Sequence, residues 1–268
     1  MKKDIPDSLR RALTNNHYIP VIGWGYPDFV STPWSEICSD LGNRCSVEKA
    51  AKQWIHISGP HMLTLYHAVA NLQTNCIIAI TPDNLLEETL RYYDHQWLRL
   101  EQDKEYDTRD HNIFIPLGGD IKAPGTMIIL QHDFLYLRFK ENILWNHAHS
   151  KAALNPLMVI GFDLKDACIQ DFLYDLRSDH VSGQSGWVIC EHADGEDRLL
   201  WGESGFEIIE TRLAEFLKDI VRISNEPTSL TSMYTYDLET PYKHLDYFER
   251  TGVPAIMAQN DHLTCTVR

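Results

Sequence analysis

The sequence predicts a three-layer, Rossmann-like α/β domain in which helices cover both faces of a mostly parallel sheet. Short apolar runs such as Ile19–Ile22 and Cys76–Ile80 have the composition of strands that are buried on both faces. Segments with apolar residues at helical spacing separate these runs. Such alternation of strands and helices is typical of a parallel sheet. With 268 residues and 44% hydrophobic residues, the chain is long enough to bury a sizeable core.

The amino-terminal third of the sequence contains two predicted strands, Ile19–Ile22 and Cys76–Ile80. The first strand ends at a Gly-x-Gly turn, Gly23-Trp24-Gly25, and glycines in such a turn allow a ligand to approach the backbone closely. After the second strand, Thr81 can cap a helix and Pro82 can occupy its first position. Helical spacing predicts four further helices here, over residues 8–16, 34–41, 46–57 and 61–72.

The remainder of the sequence continues this alternation. The charge-dense segment Glu101–Asp110 predicts a solvated loop, and an apolar run covers Thr126–Leu130. Glu191–Gly205 predicts a hairpin-like insert between the last two strands. The predicted strands are Ile113–Leu117, Pro156–Gly161, Trp187–Cys190 and Phe206–Ile209, and the predicted helices cover residues 132–139, 142–153, 163–176 and 211–222.

The composition changes near Ser224, where Asn225–Ser232 has the polar, proline-containing character of a linker. We therefore predict one domain over residues 1–223, followed by a linker and carboxyl-terminal tail over residues 224–268. The tail is too short to form its own core, so we expect it to dock on the domain or to stay mobile.

Charge and composition disfavour several classes of protein. A net charge of −14, from 24 basic and 38 acidic residues, argues against a nucleic-acid-binding surface, which needs a basic patch. No apolar run approaches the roughly 18 residues of a membrane helix, and Met1–Pro6 lacks the apolar core of a secretory signal. The six cysteines include no C-x-x-C pair, so neither a disulfide framework nor a structural zinc site is indicated. We expect a cytoplasmic protein.

Four stretches follow predicted strands in a recognisable order. They are Gly23-Trp24-Gly25 with Pro33–Glu36, then Thr81–Glu87, then Leu117–Ile121 with the segment 126–134, and finally Val159–Asp166. In this order and spacing they resemble the sirtuin-like (silent information regulator type) domain found in bacterial anti-phage defence proteins. The resemblance covers roughly residues 8–222 and implies a sirtuin-like fold.

The resemblance also implies that the four loops gather around NAD at the carboxyl edge of the sheet. Deacetylase sirtuins carry a four-cysteine zinc module in addition, and its absence from this sequence points to the NAD-consuming defence branch, with no zinc. The cofactor-binding residues implied by the resemblance are Gly23, Trp24, Gly25, Tyr26, Gly119, Asp120, Gly161, Phe162 and Asp163.

The sequence departs from the family pattern at the positions that carry chemistry. The second loop of the family usually reads Thr-Asn-Tyr-Asp; here the asparagine position falls on Thr81, whereas Asp83 is kept. The third loop usually reads Leu-His-Gly-Asp, with the histidine as general base at the ribose, and here Gly118 occupies that position. A glycine has no side chain that could move a proton, so the base of the family is missing. Asp163 replaces the usual serine of the fourth loop, and Trp24 could stack on a base or fill the pocket.

Other ionisable residues could supply the chemistry. A carboxylate can stabilise the oxocarbenium-like state of NAD hydrolysis, and Asp28, Asp83 and Asp120 all lie in predicted loops. Each could instead be a helix cap or a turn aspartate. His132 follows the third loop and is either a candidate base or a capping or packed side chain. The His147-x-His149 pair lacks both the spacing and the third ligand of a metal site.

Two functions remain open at this point. In the first, the chain is an NAD-binding effector domain of an antiviral defence system that cleaves NAD and releases nicotinamide. In the second, it is a catalytically inactive sirtuin-like pseudoenzyme that serves as a nucleotide-sensing or assembly module. A protein deacetylase is disfavoured because the zinc module and the histidine are both absent. The expected partners are NAD or a related nucleotide, together with further copies of the chain or a larger defence assembly.

The tail carries a separate resemblance. Thr240–Glu249 is similar to the segment that precedes the nucleotide-binding core of STAND-type signalling ATPases. No Gly-x-x-x-x-Gly-Lys-Ser/Thr pattern follows it in this sequence. The tail therefore predicts either the lead-in to a longer sensor protein or a simple surface segment.

Overall fold

The computed structural model describes residues 5–23, 62–93, 96–102, 104–109, 111–128, 131–139, 142–177 and 185–225. Several predictions lie outside the described residues. They are the helices over residues 34–41 and 46–57, the turn residues Trp24, Gly25 and Tyr26, the candidate Asp28 and the tail from residue 226. The domain boundary predicted at residue 223 stays a prediction.

Strands and helices alternate along the described part of the chain. The strands are β1 (Ile19–Ile22), β2 (Cys76–Ala79), β3 (Trp97–Arg99), β4 (Asn112–Pro116), β5 (Leu157–Ile160), β6 (Gly186–Cys190) and β7 (Phe206–Glu210). The helices are α1 (Asp7–Thr14), α2 (residues 62–70), α3 (Leu85–Tyr92), α4 (Gln131–Phe139), α5 (Ile143–Leu154), α6 (Ala167–Leu176), α7 (Gly195–Glu203) and α8 (Leu213–Ser224). A short 3₁₀ helix covers Pro124–Thr126.

All seven strands are parallel and form one sheet in the order β3-β4-β2-β1-β5-β6-β7. The first strand, β1, lies in the middle of the sheet. The strands β2, β3 and β4 form the half on one side of β1, and β5, β6 and β7 form the half on the other side. The strand order therefore reverses between β1 and β5. This arrangement confirms the predicted parallel α/β fold, and its reversal point is where doubly wound sheets place ligands.

Helices cover both faces of the sheet. Successive residues of a strand point to opposite faces, so each strand contributes side chains to the helices on both sides. On β5, Met158 and Ile160 join a buried cluster with residues of α1, α2, α3 and α8. Leu157 and Val159 join a second cluster with residues of α4, α5, α6 and α7. The inner strands β1, β2, β5 and β6 are buried along their whole length, which explains why they appear in the sequence as apolar runs, whereas the edge strands β3 and β7 are only partly buried. The predicted three layers are thereby confirmed.

The prediction of a hairpin-like insert over Glu191–Gly205 is wrong. β6 and β7 pair in parallel, and two adjacent parallel strands need a crossover connection rather than a hairpin. Helix α7 provides that crossover. Asp194 caps it through a capping box, in which its side chain accepts hydrogen bonds from the Glu196 and Asp197 backbone amides and the Asp197 side chain accepts one from the Asp194 amide.

Two helices begin three or four residues later than predicted, which is more than the one or two residues by which the starts of the other predicted helices differ in the described part of the chain. Helix α3 starts at Leu85 rather than at Pro82, and Thr81 does not cap it. The Leu85 amide instead donates to Asp83 Oδ1 at 2.9 Å. Helix α6 starts at Ala167 rather than at Asp163, which lies four residues earlier. The short strand β3 was not predicted at all.

Candidate functional site

The four loops singled out in the sequence follow four neighbouring strands, β4, β2, β1 and β5. Ile22 at the end of β1 is in register with Ala79 of β2 and with Ile160 of β5, and Ala79 is in register with Pro116 of β4. Because these strands are parallel and end at the same level, the loops leave the sheet side by side. The structure thus brings the described parts of all four loops to one carboxyl edge.

Two glycines meet where the strand order reverses. The Gly23 amide donates to Ile160 O at 2.8 Å, and Gly161 has a φ of +83°. A Cβ atom on Gly23 would lie 2.2 Å from Gly161 O and 2.7 Å from the Phe162 ring. The first and fourth loops therefore approach so closely that only glycine fits at position 23. Phe162 is 5% exposed and packs in the core beneath this contact, and Asp163 accepts a hydrogen bond from the Lys165 amide at 3.0 Å.

The second loop contains a hydrogen-bonded acid. The Tyr66 hydroxyl, on α2, donates to Asp83 Oδ2 at 2.7 Å, while Asp83 Oδ1 accepts from the Leu85 amide. Desolvation raises the pKa of the Asp83 carboxyl, although the bonds from Tyr66 and Leu85 oppose that shift. Desolvation, together with the nearby Asp83 charge, raises the pKa of Tyr66 well above its ordinary value. Tyr66 is thus a permanent donor that orients Asp83.

Thr81 lies beside this pair and is 2% exposed. Its hydroxyl is near enough to lower the pKa of both Tyr66 and Asp83, yet none of its contacts has the geometry of a standard hydrogen bond. A buried hydroxyl without a well-formed partner costs free energy. Thr81 therefore presents a buried hydroxyl without a well-formed partner at the position where the resemblance expects asparagine.

The third loop packs against the second through its backbone. The Gly118 amide donates to Ala79 O at 3.0 Å, and a Cβ atom on Gly118 would lie 2.3 Å from Ile80 O. The Ile121 amide donates to Pro82 O at 2.8 Å. Gly119 has a φ of +85°, and a Cβ atom there would lie 2.2 Å from Thr126 O. The position expected to carry the histidine base is consequently filled by neighbouring backbone.

Asp120 uses both carboxylate oxygens within the protein. Oδ1 accepts from the Lys122 amide at 2.7 Å, and Oδ2 accepts from Arg99 Nη2 at 3.1 Å. Its own amide donates to Thr126 Oγ1 at 3.0 Å. Asp120 therefore shapes the turn of the third loop as well as standing at the edge of the candidate site.

The candidate histidines are not brought into this arrangement by the described contacts. His132 is the second residue of α4, and its side chain lies outside the described part of the structure. His147 and His149 are on α5. The described residues hold no group of three or more His, Cys, Asp or Glu side chains that could bind a metal ion. No helix among them is long and apolar enough to cross a membrane.

The sequence analysis does not identify two residues at this edge, Tyr66 and Arg99. Tyr66 sits among apolar residues at helical spacing, and that spacing predicts only a helix. A buried tyrosine hydroxyl requires a hydrogen-bond partner, and this requirement is the signal that could identify Tyr66. Arg99 belongs to a three-residue strand next to a charged segment, where neither length nor alternation marks a strand.

The described residues include the kinds of groups that bind NAD. A dinucleotide site needs backbone N–H groups in glycine turns at strand ends, and polar side chains for ribose hydroxyls. Gly23, Gly119 and Gly161 form glycine turns at the reversal point and beside it, where no side chain of their own covers the backbone. The Gly23 and Gly119 amides themselves donate to Ile160 O and Pro116 O. The Thr81 hydroxyl is an unsatisfied polar group at the same edge.

Comparison with known proteins agrees with this geometry. Residues 78–209 match the family described as a SIR2-like domain, a range that runs from β2 to β7 and includes the second, third and fourth loops. Members of this family generally bind NAD. No curated protein matches the chain significantly. The family match and the seven-stranded parallel sheet together support a sirtuin-like domain in this part of the chain.

Proposed function

We propose that the carboxyl edge of the sheet binds NAD and that the chain is an NAD-binding effector module of an antiviral defence assembly. The observation that carries the binding proposal is the common level at which β4, β2, β1 and β5 end, because it gathers four loops at the reversal point of the sheet. The defence context rests on the resemblance of those loops alone.

The glycine turns would let the pyrophosphate approach the backbone closely, and the Thr81 hydroxyl would form a hydrogen bond with a ribose hydroxyl. Bound NAD supplies a labile bond between nicotinamide and ribose. Its hydrolysis consumes one water and yields nicotinamide, ADP-ribose and a proton. Asp83 is the described carboxylate that could stabilise positive charge on the ribose, since Tyr66 holds it in a fixed orientation.

A non-hydrolytic, nucleotide-sensing role is the second candidate, and one observation favours it. Gly118 offers no base, and the backbone of Ile80 leaves no space for a side chain at that position. Asp120 is occupied by Arg99 and the Lys122 amide. We therefore expect binding with slow or no release of nicotinamide.

Calorimetric titration of NAD into the purified full chain tests the binding proposal. We expect a dissociation constant in the micromolar to millimolar range and a thermal shift at saturating NAD. An absence of both heat and thermal shift would refute NAD binding. Nicotinamide release, followed by chromatography, then separates the two candidates, because multiple turnover would exclude the inactive one.

A matched pair of glycine substitutions locates the site. Gly161 and Gly205 have similar positive φ values, +83° and +79°, but Gly161 follows β5 at the carboxyl edge whereas Gly205 precedes β7 at the opposite edge. Alanine at either position costs roughly 1–2 kcal/mol of backbone strain. At Gly205 the added Cβ would also lie 2.6 Å from Ser185 Oγ, so that side chain must shift, whereas at Gly161 the nearest atom is 3.3 Å away. We expect Gly161→Ala to weaken NAD binding and Gly205→Ala, although it is the more destabilising change, to leave NAD binding unchanged.

A further inference from the structure

Arg99 connects two of the four loops through one side chain. From the edge strand β3, its Nε donates to Glu87 Oε2 at 2.9 Å and its Nη2 donates to Asp120 Oδ2 at 3.1 Å. Glu87 lies in the first turn of α3, directly after the second loop, and Asp120 lies in the third loop. One guanidinium thus spans the elements that follow β2 and β4.

These ion pairs are only partly exposed to water. The side chains of Arg99, Glu87 and Asp120 are 27%, 14% and 24% exposed, so solvent screens them less than it screens a surface pair. The planar guanidinium presents several donors in a fixed geometry, which lets it bind two carboxylates at once. A lysine has a single ammonium on a flexible stem and holds such a pair less rigidly.

Backbone hydrogen bonds fix the two loops close to the sheet but not at the Asp120 carboxylate. The Gly118 amide bonds to Ala79 O, and the Ile121 amide bonds to Pro82 O. Asp120 Oδ1 closes its own turn by accepting from the Lys122 amide, so Oδ2 is left to set the direction of the carboxylate. Arg99 is the described side chain that bonds to Oδ2.

We propose that Arg99 is a positioning residue for the NAD site: it holds the third loop against the second by bridging Glu87 and Asp120. This inference rests on the proposed NAD binding for its ligand. It assigns a role to an edge strand that otherwise contributes only three residues to the sheet. Arg99 need not contact the ligand itself.

Arg91 provides a matched control. It lies on α3, is 60% exposed, and pairs with Glu87 and Glu88, so it shares one carboxylate with Arg99 but has no contact with Asp120. We expect Arg99→Gln to weaken NAD binding roughly threefold to tenfold, as the loss of a coupled pair would, and Arg91→Gln to change it less than about twofold. Arg99→Lys should fail to restore the affinity, because a charge alone does not bridge both carboxylates.

A double-mutant cycle tests the bridge directly. Asp120→Asn should also weaken binding, and adding it to Arg99→Gln should have little further effect because the contact is already lost. Equal NAD affinity in Arg99→Gln and the wild type, or full rescue by Arg99→Lys, would overturn the positioning role. Thermal unfolding of each variant checks that the domain remains folded.

Hydrogen exchange separates failure of this inference from failure of the proposed function. In Arg99→Gln without ligand, amides over residues 118–126 should exchange faster than in the wild type and in Arg91→Gln. If the wild type does not bind NAD but this protection is lost, the proposed function fails and the bridge stands. Unchanged protection in Arg99→Gln refutes the bridge, whether or not NAD binds.

Discussion

At the scale of single residues, the candidate site is shaped by positions such as Gly118, where the surrounding backbone leaves no space for a side chain. Gly118 stands where the family resemblance expects a histidine, and its Cα faces the backbone of Ile80. A side chain can therefore not be added at this position without moving the backbone around it.

Gly118→His tests this reading. A Cβ atom would lie 2.3 Å from Ile80 O, so the second or third loop must shift to admit any side chain. We expect a loss of unfolding free energy of about 1–3 kcal/mol, the usual cost of overpacking, and no gain in nicotinamide release. Urea unfolding and a chromatographic assay measure the two effects. A stable variant with new turnover would contradict the expectation.

Asp83 predicts a distinctive pH dependence. Its folded-state pKa is raised, so the folded protein holds this proton more tightly than the unfolded chain does. The resulting stability is complete below the unfolded pKa, near 4, and is lost as the pH rises through the folded value. The Asp83→Asn variant would carry no titratable carboxyl at this position, so we expect its unfolding free energy to rise relative to that of the wild type as the pH increases above about 4.

Urea unfolding at several pH values measures that difference. Asp171→Asn on α6, where the side chain is exposed, is the control for removing one acidic charge. A difference between Asp83→Asn and the wild type that shrinks with rising pH would show that the Asp83 pKa is lowered rather than raised.

The residues that sequence analysis missed share one property: their partners are distant in the chain. Tyr66 and Asp83 are 17 positions apart, and Arg99 and Asp120 are 21 apart. A local pattern identifies the elements but contains no information about which loops meet. Gly23, Thr81 and Asp120 could be placed at one edge from the sequence because each follows a predicted strand, and parallel strands end at the same edge of a sheet.

At the scale of elements, errors arose where turn residues and caps look alike. Glycine and aspartate around positions 191–205 favoured a hairpin, whereas Asp194 and Asp197 form the capping box of α7. The spacing Asp-x-x-Asp before an apolar residue was the overlooked signal, since acidic residues in the first turn of a helix interact favourably with its dipole.

Removing the Asp194 cap should destabilise α7. The pKa of Asp194 is lowered to about 2 by backbone hydrogen bonds and by Lys165, so the capping group is charged at neutral pH. We expect Asp194→Ala to lower the thermal midpoint by about 2–4 °C, and Asp194→Asn, which retains a capping oxygen, to lower it less. Calorimetric scans measure both midpoints, and identical losses in the two variants would mean that the cap bond is not the cause.

At the scale of the whole molecule, composition and periodicity were sufficient to predict a parallel, three-layer domain. Composition and periodicity could not predict the order of the strands, because strands of similar apolar composition could occupy any position in the sheet. The crossover from β4 to β5 is what puts the candidate loops on four adjacent strands.

The two faces of the sheet should behave as independent cores. Ile220 on α8 belongs to the cluster on one face and Ile115 on β4 to the cluster on the other, and both are fully buried. Replacing either by valine should cost about 0.5–1.5 kcal/mol. Since the sheet separates the two sites, the double variant should show the sum to within about 0.5 kcal/mol in urea unfolding. A larger coupling would indicate that strain passes through the sheet.

The common level of the strand ends has a consequence for how this site can change over evolution. The register that aligns β4, β2, β1 and β5 is made by backbone hydrogen bonds between neighbouring strands, which do not depend on the identity of the loop side chains. Loop residues such as Thr81 can therefore be exchanged while the strands beneath them keep their register. A scaffold of this kind allows ligand recognition to persist after the original chemistry has been lost, and lets new chemistry be tried without refolding the protein.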